Sequence, residues 1–241
     1  MNIRPISVTS GDGDEVHEDE IHTNMRPFTT VSGPAVPLMR ANVDTDLIIR
    51  IERMTGPAKS ELGAYALETL RYRDDGSLDP DCVLNRPIFR NAPILLGGDN
   101  FGCGSSREAA VWALAGMGVR CVIAPSFGDI FFGNCFQNGI LPIQLPESKV
   151  YELAALSEAG EPMQIDLVRC IIVTQRGNHV EFSVDPQRRD ALLNGLDDIA
   201  LTLRDDTAIR AWQLNDRQRR PWVWLPEAVR DARTNPKPVA A

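Results

Sequence analysis

The feature that most restricts the fold is a regular alternation of strand and helix patterns between residues 92 and 145. Short apolar runs at residues 92–96, 120–124 and 140–145 indicate buried strands. Residues 105–117 and 127–136 have helical spacing and are followed by Gly118 and by Asn138-Gly139, which end helices. Strand, helix, strand, helix, strand with short connections predicts an α/β domain with parallel crossover units.

The rest of the chain predicts one further sheet element and a helical end. Residues 165–174 and 180–185 predict a hairpin joined through residues 176–178, and residues 187–218 predict helix with an interruption at Asn194-Gly195. The polar, acidic residues 1–25 predict a flexible arm, residues 26–225 a single domain, and residues 226–241 a flexible tail.

Charge and hydropathy exclude several classes of protein. The net charge is −8, from 25 basic and 33 acidic residues, without the basic stripe that a general nucleic-acid binder needs. Apolar runs fall short of the roughly 18 residues that span a bilayer, and residues 1–22 do not resemble a secretory signal. We therefore expect a cytoplasmic protein that binds neither nucleic acid nor membrane. Five widely spaced cysteines without a CxxC pair predict reduced thiols rather than disulfides or a zinc site.

The segment richest in residues that could carry out chemistry is GGDNFGCGSSREAAVW at residues 97–112, between a predicted strand and helix. Ser105 and Glu108 have the spacing of a capping box, and Gly102 and Gly104 supply left-handed backbone geometry before it. A purely structural interpretation is a capped helix entered through a glycine turn. A functional interpretation is favoured by position, because open α/β sheets bind ligands at the carboxyl ends of their strands.

The residue types in this segment suit an anionic ligand. Free N–H groups at a helix N-terminus bind anions. Arg107 offers a planar guanidinium that can bind a carboxylate with two hydrogen bonds. It adjoins the hydroxyl groups of Ser105 and Ser106, one of which is a candidate proton acceptor. The familiar nucleotide motifs do not fit. Arg107 stands where a dinucleotide loop needs its third glycine, and no lysine follows for a phosphate loop.

Five segments together resemble one family. They are NVDTDLII at 42–49, DCVLNRPIFR at 81–90, NFGCGSSRE at 100–108, VIAPSFGDIFFGNCFQNGILPI at 122–143 and LLNGLDDIALTL at 192–203. Their order and wording are similar to the small subunits of 3-isopropylmalate dehydratase, in the aconitase superfamily. The resemblance implies a single swivelling β/β/α domain with a C-terminal helical segment, which docks on a large subunit as a heterodimer or heterotetramer. It implies no cofactor in this chain and a [4Fe–4S] cluster on the large partner.

The resemblance also implies roles for individual residues in the isomerisation of 2- and 3-isopropylmalate by dehydration and rehydration, a step of leucine biosynthesis. Ser105 would remove the carbon-bound proton, and Ser106 and Arg107 would bind a carboxylate of the small dicarboxylate substrate. Asp44 and Asp46 would order the site. The stretch that meets the variable side chain of the substrate would contain Ile48, Ile49, Arg50 and Ile51.

Three alternatives remain from the sequence. Arg50, Ala109 and Asp190 depart from the family's usual wording, which is compatible with a paralogue for another 2-substituted malate of the citraconate or methylmalate type. A non-catalytic paralogue is the second alternative, although Ser105 is retained. The third is a cysteine hydrolase, in which Cys103 at a helix N-terminus would have a lowered pKa and His179 would act as its base.

Overall fold

A parallel four-stranded sheet forms the centre of the molecule. The computed structural model of the chain describes residues 25–105, 107–158 and 160–224. The strands lie in the order β2, β3, β4, β5, and each pairs with its neighbour in parallel: β2 (Ala35–Leu38), β3 (Ile94–Gly97), β4 (Cys121–Ala124) and β5 (Leu141–Gln144). The three strands predicted at residues 92–96, 120–124 and 140–145 are β3, β4 and β5, so this part of the prediction is confirmed.

A second sheet of four strands is antiparallel, in the order β1 (Thr30–Gly33), β6 (Met163–Asp166), β7 (Ile171–Thr174) and β8 (His179–Glu181). The single strand predicted at residues 165–174 is wrong, because the chain turns between β6 and β7. In that turn an oxygen of Asp166 accepts a hydrogen bond from the backbone N–H of Arg169 at 2.9 Å, and Cys170 has a φ of 54°. Two hairpins therefore replace the one that was expected.

Helices make the crossovers and the C-terminal segment. The crossover helices are α3 (Glu108–Gly116) and α4 (Asp129–Gln137), and α5 (Glu147–Glu158) follows β5. Short helices α1 (Thr45–Ile48) and α2 (Glu68–Arg71) and four 3-10 turns fill the long connection from β2 to β3. The C-terminal segment contains α6 (Pro186–Asn194), α7 (Asp198–Leu203) and α8 (Asp206–Arg219). Gly195 ends α6 with a φ of 67°, which confirms the predicted interruption.

The core lies on both faces of the parallel sheet. Leu95 and Val122 face a cluster with α1 and α3, whereas Ile94 and Ile123 face α5 and the antiparallel sheet. Burial on both faces explains why these strands are continuous apolar runs rather than alternating ones. Within the described ranges, no helix is long and apolar enough to cross a membrane.

The expected fold class, α/β with parallel crossover units and a C-terminal helical segment, is thus confirmed. The proposed flexible arm at residues 1–25 lies outside the described residues except for Met25, and the proposed tail at residues 226–241 lies wholly outside them.

Candidate functional site

Three loops meet at the carboxyl ends of β2, β3 and β4, and we call residues 41–46, 99–105 and 126–128 the loop junction. Backbone hydrogen bonds tie the first two loops together: Asn42 N to Asp99 O at 2.9 Å, Gly102 N to Val43 O at 2.7 Å, and Thr45 N to Cys103 O at 3.0 Å. The third loop is joined through Phe101, whose N–H donates to Ser126 O at 3.0 Å and whose carbonyl accepts from Gly128 N at 2.9 Å. The loop junction is therefore one hydrogen-bonded unit built from segments distant in sequence.

Two asparagines in left-handed conformation shape the loop junction. Asn42 has a φ of 54° and Asn100 a φ of 55°, a region that asparagine tolerates better than most residues. The side-chain amide of Asn100 donates to the side-chain oxygen of Asn42 at 2.8 Å. The backbone N–H of Asn100 donates to the hydroxyl of Ser126 at 2.8 Å, and that hydroxyl is hydrogen-bonded to the carboxylate of Asp99. These contacts fix the path of the chain toward Ser105.

Gly102 is required where the chain turns from β3 toward α3. Its φ is 73°, and a β-carbon added there would lie 2.2 Å from Cγ of Phe131. The ring of Phe131 is fully buried and packs edge-on against Phe101, with ring centroids 5.6 Å apart, so it has no space to move. Glycine satisfies both the backbone angle and the close approach.

The start of α3 differs from the sequence-based prediction. The helix begins at Glu108, its N-cap is Arg107, and no described side chain caps it, so the proposed capping box with Ser105 is wrong. The carboxylate of Glu108 instead accepts a hydrogen bond from the side-chain amide of Asn138 at 2.9 Å. Ser105 is consequently exposed ahead of the helix rather than engaged in its first turn, and Ser106 lies outside the described residues.

The structure brings Arg107, Asp44 and Asp46 together in one cleft of about 490 Å³. Asp44 caps α1 by accepting from the backbone N–H of Leu47 at 2.7 Å. Asp46 accepts from Nη1 of Arg107 at 2.7 Å, across a pair whose side chains are 57% and 25% exposed. Ser105 is exposed two residues before Arg107, although it is not one of the residues that line this cleft.

The predicted substrate-contacting stretch divides into a buried and an exposed half. Ile48 and Ile49 are completely buried in the core that α1 and α3 share, because α1 directs them inward. Arg50 and Ile51 lie at the surface and line the cleft. The structure therefore places Arg50 and Ile51 in the cleft and packs Ile48 and Ile49 in the core, and substrate contact by this stretch stays a prediction.

Sequence reasoning missed several residues of this region. Arg40 and Thr69 line the cleft, and Arg53 and Glu68 form an ion pair beside it, with Nη2 of Arg53 at 3.0 Å from Oε2 of Glu68. That hydrogen bond raises the pKa of Arg53 above its ordinary value. Two arginines three residues apart, Arg50 and Arg53, are visible in the sequence and weakly indicate a basic surface. Nothing in the sequence shows that Glu68 lies next to them.

Cys103 and His179, the pair considered for a cysteine hydrolase, lie in different parts of the fold. Cys103 lies in the loop junction, where its backbone pairs with Asp44, whereas His179 belongs to β8 in the antiparallel sheet. Burial raises the pKa of the Cys121 and Cys135 thiols. Among the described residues, which include all five cysteines, no group of three or more His, Cys, Asp or Glu side chains could hold a metal ion.

Comparison with known proteins agrees with this geometry. Residues 25–148 match the aconitase C-terminal domain family, and residues 198–223 match the C-terminal domain of the 3-isopropylmalate dehydratase small subunit. The 3-isopropylmalate dehydratase small subunit of Rhodospirillum centenum is 50% identical over 201 residues, which are 83% of this chain and 99% of that protein. The chain belongs to the family of 3-isopropylmalate dehydratase small subunits.

Other members of the family are similarly close. The 3-isopropylmalate dehydratase small subunit of Paramagnetospirillum magneticum is 48% identical over 83% of this chain and the whole of that protein. The crystal structure of a 3-isopropylmalate dehydratase from Methanocaldococcus jannaschii superposes with a TM-score of 0.58 at 26% identity, covering 76% of this chain and 99% of the other. The aconitase-type fold expected from the sequence motifs is confirmed.

Family membership places the structural elements in context. The aconitase C-terminal domain match contains the parallel sheet, the loop junction and all nine residues proposed for the site. The small-subunit match covers α7, α8 and the turn after them, so the C-terminal helical segment belongs to the 3-isopropylmalate dehydratase small-subunit pattern. The family gives no support to a cysteine hydrolase.

Proposed function

We propose that this chain is the small subunit of a 3-isopropylmalate dehydratase, a hydro-lyase of leucine biosynthesis that interconverts 2- and 3-isopropylmalate together with a large subunit. The observation that carries the proposal is the cleft at the carboxyl ends of the parallel strands. There Arg107 is held by Asp46 and follows the exposed Ser105, in a chain half identical to small subunits of that name.

Arg107 binds a carboxylate of the substrate in this proposal. A guanidinium has five N–H donors, and the bond to Asp46 occupies one of its terminal nitrogens. The remaining donors can pair with a carboxylate, while Asp46 limits the rotation of the side chain. Ser106 is proposed to contribute a further hydrogen bond to the same carboxylate. Asp44 acts indirectly, since it caps α1 and so positions Asp46.

Ser105 removes the proton from the carbon next to that carboxylate. A serine hydroxyl is a weak base in water, so its alkoxide must be stabilised by nearby N–H groups and cations. The N–H groups of Glu108 and Ala109 at the start of α3, which no described side chain caps, and the guanidinium of Arg107 are close in sequence to Ser105 and suit this purpose. As the C–H bond breaks, its proton passes to the serine alkoxide and its electron pair forms the double bond, while the C–O bond to the hydroxyl group breaks. A second proton, donated by solvent or by an acid of the large partner, converts the departing hydroxyl group to water.

Arg107 also lowers the barrier for this proton transfer. The proton next to a carboxylate is very weakly acidic, and charge accumulates on the carboxylate as the proton departs. A positioned guanidinium stabilises that charge without having to reorganise. Rehydration runs these steps in reverse with the two carbons exchanged. Water adds its hydroxyl group to the carbon that lost the proton, and Ser105 returns a proton to the carbon that lost the hydroxyl group.

The cluster that assists the leaving hydroxyl is proposed to lie on the large partner. The five cysteines of this chain, all of them described, are unsuited to a cluster, because Cys121 and Cys135 are buried in the core and no three cysteines lie together. Bound on the partner, a [4Fe–4S] cluster would supply a Lewis acid for the hydroxyl. This chain would supply the base and the carboxylate site, in a cytoplasmic heterodimer or heterotetramer.

The proposal is tested by an anaerobic assay with the purified large partner, its cluster verified by absorbance. The ultraviolet absorbance of the unsaturated intermediate reports turnover of 3-isopropylmalate. Ser105→Ala should reduce kcat by about 10²–10⁴-fold, the usual contribution of a general base. Ser32→Ala, at an exposed position of β1, is the matched control and should retain full activity. Activity near that of the unmodified protein in Ser105→Ala would remove Ser105 as the base.

A dehydratase for another 2-substituted malate is the second candidate. The observation in its favour is Arg50, an exposed cation in the wall of the cleft. Comparing kcat/KM for 3-isopropylmalate with that for citraconate and 2-methylmalate distinguishes the two functions. Absence of turnover with every substrate, with an intact cluster on the partner, would indicate a non-catalytic paralogue.

A further inference from the structure

A second cleft of about 680 Å³ adjoins the one that contains Arg107. Arg50 and Thr69 line both clefts, so the two form one continuous furrow. The second cleft is also lined by Arg53, Tyr65 and Glu68. A malate whose carboxylate is bound by Arg107 has the second cleft available for its substituent, because the two clefts meet at Arg50 and Thr69.

Glu68 is the organising residue of this second cleft. Both of its oxygens accept from Nε of Arg53, at 3.2 and 3.1 Å, and Oε2 lies 3.0 Å from Nη2. The guanidinium of Arg53 lies 4.4 Å from the centre of the Tyr65 ring. Oε1 of Glu68 is also 3.9 Å from Nε of Arg50. The side chain of Glu68 is only 14% exposed, whereas those of Arg50 and Arg53 are 49% and 43% exposed.

We infer that Glu68 determines the class of malate that the enzyme accepts, by neutralising Arg53 in the wall of the substituent cleft. Arg50 is paired with Glu52, whose Oε2 lies 3.3 Å from its Nε, closer than Glu68. This inference rests on the proposed dehydratase function. An arginine with an unoccupied fork binds a carboxylate in bidentate fashion, so an unpaired Arg53 would favour a substrate with an anionic substituent. The ion pair with Glu68 occupies Nε and Nη2 of Arg53, the edge that would otherwise bind a carboxylate. The Tyr65 ring covers one face of the same guanidinium. What remains is compatible with an apolar group such as isopropyl.

Glu68→Gln tests the inference in the reconstituted complex with its cluster-bearing partner. Glutamine has the same shape but no charge, so it leaves the charge of Arg53 available to an anion, while Arg50 keeps its ion pair with Glu52. The probe substrates are 3-isopropylmalate and isocitrate, in which a carboxymethyl group replaces isopropyl. The kcat/KM ratio of isocitrate to 3-isopropylmalate should rise about tenfold or more, the scale of one gained charge-assisted hydrogen bond. Isothermal titration of both ligands gives the same comparison without turnover.

Two control variants separate this effect from general ones. Glu68→Asp keeps the charge and should stay within about twofold of the unmodified ratio, well below the tenfold step. Glu152→Gln removes the same charge from an exposed ion pair with Lys149, 2.8 Å long, on α5. It should leave the ratio unchanged.

An unchanged ratio in a folded, partner-bound Glu68→Gln protein would overturn the inference, as would an equal rise in Glu152→Gln. Failure of the unmodified complex to turn over 3-isopropylmalate would reject the proposed function instead. In that case the titrations still decide the inference, since preference for the tricarboxylate must increase in Glu68→Gln and not in the controls.

Discussion

Replacing Gly102 by alanine tests whether the loop junction depends on a residue without a side chain. Two costs add together. Alanine at a φ of 73° is strained by about 1–2 kcal/mol. The new methyl group would lie 2.2 Å from Cγ and 2.4 Å from Cδ1 of Phe131, and forcing extra volume into a packed core costs about 1–3 kcal/mol. We expect Gly102→Ala to lower the free energy of unfolding by about 2–5 kcal/mol.

Urea denaturation followed by circular dichroism measures this loss, and a thermal scan should show a decrease in Tm of about 5–15 °C for a domain of this size. Gly133→Ala is the control, because Gly133 lies in α4 and a β-carbon there has no heavy atom within 4 Å. That substitution should be neutral or stabilise by about 0.5–1 kcal/mol. A loss below about 1 kcal/mol in Gly102→Ala would refute the reasoning, as would an equal loss in the control.

Three further outcomes are expected. Arg107→Lys should lower kcat/KM by about tenfold or more, because a lost charge-assisted hydrogen bond costs about 1.5–3 kcal/mol; unchanged kinetics would remove Arg107 from the site. Asp44→Ala should cost about 1 kcal/mol in urea denaturation through loss of the cap on α1, while Asp44→Asn retains most of it; equal losses would dismiss the cap. Burial raises the pKa of Cys121, so its contribution to stability is present at neutral pH and is lost as pH rises above about 8.5, where the unfolded thiol ionises. Cys121→Ala should therefore make the decline in unfolding free energy above that pH shallower by about 1.4 kcal/mol per pH unit, and an unchanged slope would contradict this.

The parallel sheet could be predicted because its signals are local. Buried runs at residues 92–96, 120–124 and 140–145 are continuous and bounded by turn residues, and helix-length segments separate them. The strand predicted at residues 165–174 failed for an equally local reason. The side chain of Asp166 can close a turn onto Arg169, and this signal was hidden by the apolar residues around it.

The candidate site was only partly predictable. The motif around Ser105 and Arg107 located it, and the pattern at Asp44 and Asp46 supplied its second loop. The capping box was wrong because Glu108 is occupied by Asn138, 30 residues away in sequence, a contact that no local pattern contains. The pairing of Glu68 with Arg53 spans 15 residues of short 3-10 and helical turns whose path depends on tertiary packing.

The hydrogen bond between Asn42 and Asn100 sets a rule for building chimeras. These residues are 58 positions apart, yet each holds the other in a backbone conformation that neither would favour alone. Grafting residues 41–54 from a relative without an asparagine at position 42 would leave Asn100 without the side chain that its amide is hydrogen-bonded to. Residues 99–107 must therefore be replaced together with residues 41–54, so that both segments come from the same protein.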